Sequence, residues 1–213
     1  SSNKVVGEKR TLIMSLSALH KNGPIDMIEK VIHELLHLMR FGGIDDQEKN
    51  IVIKDGIGTA RFNKGSSTVR RKHYNLEEGI VQFYTLEALN SLYQFIESEN
   101  VSSNKFLADF KRKYKSYDFN CYKLQVIILE QLCNNSKFRQ LLDYTFEEDT
   151  TPSQLALYFN EVMGSGSAFT SFSRQIDLLT ESAISGNDSI SERIAIEIKK
   201  EIYLFNTKAR IKK

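Results

Sequence analysis

Residues 33–37 read HELLH. On an α-helix, positions i and i+4 lie one above the other on one face. His33 and His37 can therefore offer two imidazole nitrogens to a single cation, and Zn²⁺ takes such ligands at about 2.0–2.1 Å. Glu34 points about 100° around the helix from His33. There it can reach a water on the ion without being a ligand. Zinc lowers the pKa of that water to about 7, and a carboxylate can then remove its proton. This is the chemistry carried by the H-E-x-x-H pattern.

Two histidines and a glutamate need an element that holds them. Met27, Ile28, Val31, Ile32, Leu35, Leu36 and Met39 recur at helical spacing. They predict a helix over 26–41, entered through the KNGP turn and ended by FGG, with glycine as a left-handed cap. Apolar residues on nearly every side predict that this helix is buried. A histidine or glutamate inside it needs partners. Before it, RTLIMSLSALH alternates through Leu12, Met14 and Leu16 as a strand does. After it, residues 44–74 are polar and rich in Gly, Lys and Arg. They predict a loose β-hairpin or loop excursion, suited to bordering a cleft as a lid. Lys64, Arg70, Arg71 and Lys72 in that stretch favour acidic substrates.

A second long helix, of about twenty residues, is predicted from YNLEEGIVQFYTLEALNSLYQFI, with Asn75 as its cap. The remainder reads as helices over 105–114, 122–132, 137–144, 152–162, 168–182 and 191–205, broken at GSGS and SGNDS. The terminal KARIKK reads as a solvated helix end. The expected fold class is α+β and predominantly α-helical. It comprises a core over 1–100 that carries both motif helices and a helical C-terminal lobe over 101–213 that completes the cleft.

Of the 213 residues, 41% are hydrophobic and 26% charged, the balance of an ordinary globular chain. Thirteen Phe and nine Tyr can fill a core without any Trp. A net charge of +2 is too small to argue for nucleic acid or a membrane surface. No apolar run approaches a membrane span. Cys121 and Cys133, in one predicted helix, would lie roughly 18 Å apart, too far for a disulfide. Both are expected as buried thiols. The chain begins SSNKVVGEKR without an initiator Met, as a trimmed or processed chain would, and the compartment stays open.

The stretch NLEEGIVQFYT, with HELLH upstream, resembles the gluzincins. These are zinc metallopeptidases with HExxH on one helix and a glutamate ligand on a second, often within a pattern like NEG followed by an aromatic five residues on. Here Glu78 is followed by Gly79, and Phe83 lies five residues beyond. The resemblance implies Glu78 as third zinc ligand, a small zincin-like sheet and a protein or peptide substrate. Glu77 stands where Asn is commoner and remains the alternative ligand. If Glu78 binds the ion, Glu77 is expected to accept a hydrogen bond from a ligand histidine. Gly79 would let two helices approach beside the metal. Gluzincins commonly add a Tyr or His oxyanion donor beyond the third ligand, which implies Tyr122, with Arg71, His73 and Tyr74 as local alternatives and core packing as the plain reading of that ring. The wider pattern resembles bacterial gluzincin-like proteins with a helical C-terminal lobe, over roughly residues 10–180.

The expected function is a zinc-dependent metalloendopeptidase with Glu34 as general base. LIMSLS would be the edge that receives an extended substrate. A catalytically silent metallopeptidase-like binding module and a narrow-specificity toxin or effector protease are the alternatives.

Overall fold

The computed structural model describes residues 4–6, 11–13, 23–46, 50–65, 69–99, 104–116, 122–146 and 153–211. The fold is α+β and predominantly helical. Two short strands, β1 (Lys4–Val6) and β2 (Thr11–Ile13), pair antiparallel. Helix α1 (Pro24–Arg40) follows, then an antiparallel meander of β3 (Phe41–Asp46), β4 (Asn50–Asp55), β5 (Gly58–Asn63) and β6 (Val69–Lys72). Helix α2 (Tyr74–Ser98) leads to α3 (Lys105–Ser116), α4 (Lys123–Cys133), α5 (Ser136–Tyr144), α6 (Ser153–Met163), α7 (Ala168–Ile184) and α8 (Asp188–Ile211). Of the predicted upstream strand, Leu12 lies in β2, while Met14 and Leu16 fall outside the described residues.

The chain forms two compact units, each drawing on both sides of residue 100. One comprises Ser1–Met39 and Val81–Lys123, the other Arg40–Ile80 and Leu124–Lys213. Helix α2 begins in the second and continues without a break into the first.

In the first unit, Ile25, Leu89, Ile96 and Phe110 are fully buried, and Ile28, Ile32, Leu86, Leu92 and Leu107 pack against them. Ile25, Ile28 and Ile32 form one stripe of α1 at helical spacing. Glu29, His33 and His37 form the stripe beside it. The packing that seats α1 on α2 thus also aims the histidines. Leu35 and Met39, on another side of α1, are exposed, so among the described residues this helix is half-buried rather than enclosed.

In the second unit, helices α5 to α8 surround a core of rings. Phe138, Phe159, Phe172 and Phe205 are almost wholly buried. Phe159 stacks on Phe205 at 4.8 Å between centroids and meets Phe172 at 5.1 Å.

Three sequence expectations change here. FGG does not cap α1; Phe41 opens β3 directly, and Gly43, at φ +106, sits at a register shift against β4. The stretch 44–74 is not a loose excursion but most of a four-stranded sheet with continuous registers from β4 to β6. Asn75 does not cap α2; His73 precedes the helix in a left-handed conformation, φ 58. Asn75 instead donates through its backbone N–H and its Nδ2 to Asp177 Oδ1, at 3.4 and 2.9 Å. The α2 N-terminus is therefore satisfied by a carboxylate from α7, and burial raises that carboxyl above its ordinary range. Cys133 is half-buried at the end of α4, and Cys121 lies outside the described residues.

Candidate metal centre

Helix α1 brings His33 and His37 together, with their Nε2 atoms 3.2 Å apart. The rings meet edge-on at 4.9 Å. Two ligands about 2.0–2.1 Å from a tetrahedral zinc ion stand roughly 3.3–3.4 Å from each other. The spacing of this pair matches one edge of such a tetrahedron.

The orientation of His33 is set by a polar chain. Its Nδ1 lies 2.9 Å from Gln82 Oε1 on α2, and Gln82 Nε2 donates to Glu29 Oε1 at 2.7 Å. A carboxylate oxygen only accepts, so Glu29 fixes which end of the Gln82 amide faces it. Gln82 then presents its carbonyl oxygen to His33, whose Nδ1–H must donate. That leaves the His33 Nε2 lone pair facing His37. Glu29 and Gln82 are both buried. Neither stood out in the sequence. The available signal was helical phase: Glu29 precedes His33 by four, and Gln82 follows Glu78 by four.

Tyr122 lies beside the same histidine. Its ring stacks on His33 at 6.1 Å between centroids and 8° between planes. Its backbone is left-handed, φ 53, which costs energy for an aromatic residue and needs surrounding structure to hold it. The ring predicted to serve as oxyanion donor therefore neighbours a motif histidine, and α4 starts one residue later than expected. Glu34 is half-buried on α1.

The second unit holds Glu77 and Glu78 in the first turns of α2, both buried. Their surroundings differ. Glu77 binds Arg40 through two contacts, one to Nε and a 2.9 Å bond from Nη2, and also accepts from the Ile57 N–H at 2.9 Å. Arg40 donates further to Thr145 Oγ1 and lies 4.4 Å from the Phe146 ring centroid. Gly56, at φ 52, leaves room for this carboxylate, since a Cβ there would collide with it. Glu77 is thus ion-paired with Arg40, and among the described contacts Gln82 accepts a hydrogen bond from a motif histidine.

Glu78 accepts a hydrogen bond from Tyr74, one turn earlier on α2. Burial, and then the Glu78 charge, push the Tyr74 hydroxyl well above the ordinary tyrosine range, so it stays protonated and donating. Arg71 lies 4.4 Å from the Tyr74 ring centroid. Glu78 also precedes Gln82 by one turn on the same face of a continuous helix, about 6 Å along its axis. Gly79 does admit a close helix, and that helix is α4: a Cβ on Gly79 would run into the Gln125 side chain.

By donor chemistry, two sets among the described residues suit a metal ion: His33, His37 and Glu78, and His37, Asp55 and Glu77. The first is the two-imidazole, one-carboxylate set that zinc hydrolases use. In the second, Glu77 is already committed to Arg40. No protein-family model, curated protein or solved structure matches the chain. No helix among the described residues is long and apolar enough to cross a membrane.

Proposed function

We propose that the protein is a zinc-dependent endopeptidase of gluzincin type, with His33, His37 and Glu78 as ligands and a protein or peptide substrate. The observation that carries this reading is the histidine pair: two Nε2 atoms 3.2 Å apart, with the Nδ1 of His33 committed to Gln82. A bound zinc ion would supply an acidified water and a Lewis acid for the scissile carbonyl. Glu34 would take the proton of the attacking water and pass it to the leaving amine. Tyr122, parallel to His33, would donate its hydroxyl to the oxygen that gains charge. Tyr74 would hold the Glu78 carboxylate in one orientation.

The test is Glu34→Gln beside His37→Ala. Zinc content is read by mass spectrometry of the purified protein, and hydrolysis on casein and a quenched peptide library. The expected result is full zinc content with cleavage lost by at least about a hundredfold in Glu34→Gln, the scale of general acid–base catalysis, and zinc lost in His37→Ala. Failure of the wild type to retain zinc overturns the metal site. Retention of zinc with no cleavage by the wild type favours the binding-module alternative.

A further inference from the structure

The meander carries a cationic face that the linear sequence conceals. In the β4–β5–β6 register, Lys54 pairs with Thr59 and Thr59 with Lys72. In the next row on the same face, Val52 pairs with Arg61 and Arg61 with Arg70. Directly paired residues, and residues two apart on one strand, share a face of the sheet. Lys54, Arg61, Arg70 and Lys72 therefore project from one side, and all four are exposed. Among the described residues none of them enters an ion pair. Lys64 and Arg71, which lie close by in sequence, do not belong to this face: Lys64 pairs with Asp46, and Arg71 covers the Tyr74 ring from the other side.

The arrangement works against its own stability. Arg61 stands directly opposite Arg70, and like charges in that relation repel. Lysine and arginine on an edge strand have a familiar use in blocking unwanted strand pairing. That explains Arg70 and Lys72 on β6 but not Arg61 and Lys54 on the interior strands. A ligand that neutralises the four cations accounts for their gathering on β4, β5 and β6, at the end of the sheet away from Asp45 on β3.

We propose that this face binds an acidic polypeptide segment in extended conformation, laid along β6 with carboxylates at alternate positions. Three observations select that occupant. Among the described residues β6 has a strand neighbour on one side only, so its outer main-chain groups can pair with an added strand. Arg70 and Lys72 repeat every second residue, roughly 6.6–6.8 Å apart, the repeat of side chains on one face of an extended chain. The face otherwise carries Asn50, Thr59 and Asn63, with Val52 buried among them and the acidic Asp45 beside Val52 on β3, and no aromatic ring on which a single-stranded nucleic acid could stack its bases. This inference uses neither histidine and stands independently of the zinc chemistry.

The experiment uses fluorescence anisotropy with a labelled decapeptide of alternating Glu and Thr. The controls are the Gln–Thr counterpart and a thymidine decanucleotide. It is run in the Glu34→Gln background so that the probe survives any hydrolysis. The Glu–Thr peptide should bind about tenfold or more tightly than the Gln–Thr peptide, and raised salt should weaken it. Arg70→Gln/Lys72→Gln should lose that advantage, and Lys64→Gln should keep it. Arg61→Glu should also lose it while raising the melting temperature, because Arg70 gains an opposite charge across the strand pair. Equal binding of the two peptides, no binding of either, unchanged affinity in Arg70→Gln/Lys72→Gln, or tighter binding of the oligonucleotide would overturn the proposal. Should Arg61→Glu fail to fold, the double variant decides, since both its side chains are exposed.

Discussion

The interior beneath α5–α8 and the interior around the motif helices are filled in opposite ways. Under α5–α8, Phe159 touches Phe169, Phe172 and Phe205, and Phe205 touches Phe138 and Tyr158. These contacts are nondirectional, and their strength follows buried area. The motif helices instead bury polar groups in chains: Glu29–Gln82–His33 in one unit, and Arg40–Glu77 with Ile57 and Thr145 in the other. Each such chain is worth little net stability but fixes one orientation, and breaking it leaves a costly unpaired group. Rings therefore stabilise this protein broadly, while its polar chains specify where particular atoms point.

That contrast should be visible in where variants lose function. Phe159→Ala removes the ring at the centre of the stack and should cost about 3–5 kcal/mol, read as a lowered urea midpoint. Zinc content should fall only as the protein unfolds. Glu77→Gln keeps shape but removes the charge opposite Arg40, whose side chain is fully buried. It should cost about 2–3 kcal/mol by the same denaturation. If Glu77→Gln instead left stability intact and stripped zinc, Glu77 would be a ligand and the contrast between it and Glu78 would be wrong.

The sequence made the two motif helices, the later helices and the α+β class legible, because each rests on a repeat of apolar residues strong enough to survive without tertiary context. The histidine pair was equally legible, since an i, i+4 relation is local. The sheet was not. β3 and β6 carry few apolar residues and are largely exposed, so their stability comes from pairing with β4 and β5 rather than from an alternating pattern. The same blindness to register hid the cationic face, which joins Lys54 to Lys72 across two strand pairings. Spacing does not separate Glu77 from Glu78, because the partner that makes their surroundings differ, Arg40, lies 37 residues from Glu77. Asn75 has the residue type of a cap, and the sequence carries no sign of Asp177 arriving from α7.

Gln82 sharpens the comparison from the polar side. Gln82→Ala removes the acceptor for His33 Nδ1 and the donor to Glu29, while deleting little apolar surface. The His33 ring would then lose the contact that fixes its tautomer. Metal affinity should fall about 10–100-fold, measured by competition with a zinc chelator, with a smaller change in the urea midpoint than Phe159→Ala gives. A variant that loses stability as severely as Phe159→Ala and zinc no faster than it unfolds would place Gln82 among the structural groups instead.

The smallest effect expected comes from His73, a polar group in the aromatic region. Its ring lies 5.4 Å from Phe169, and its Nδ1 is buried with no hydrogen-bond partner among the described residues. Burial first, and the neighbouring Lys72 charge second, push its pKa down to about 4. The unfolded chain, near 6.5, takes up the proton earlier as pH falls. Stability from the neutral ring is therefore complete above about pH 6.5 and drains away between there and about pH 4. Discounted for the ring's partial exposure, the loss attributable to His73 is about 1–2 kcal/mol. His73→Asn should flatten that part of the pH profile of the urea midpoint, because Asn tolerates the left-handed backbone at this position and does not titrate. An unchanged acid slope in His73→Asn would mean that carboxylates alone carry the acid sensitivity. The ring would then count as one more packed surface beside Phe169 rather than a polar group held neutral at a cost.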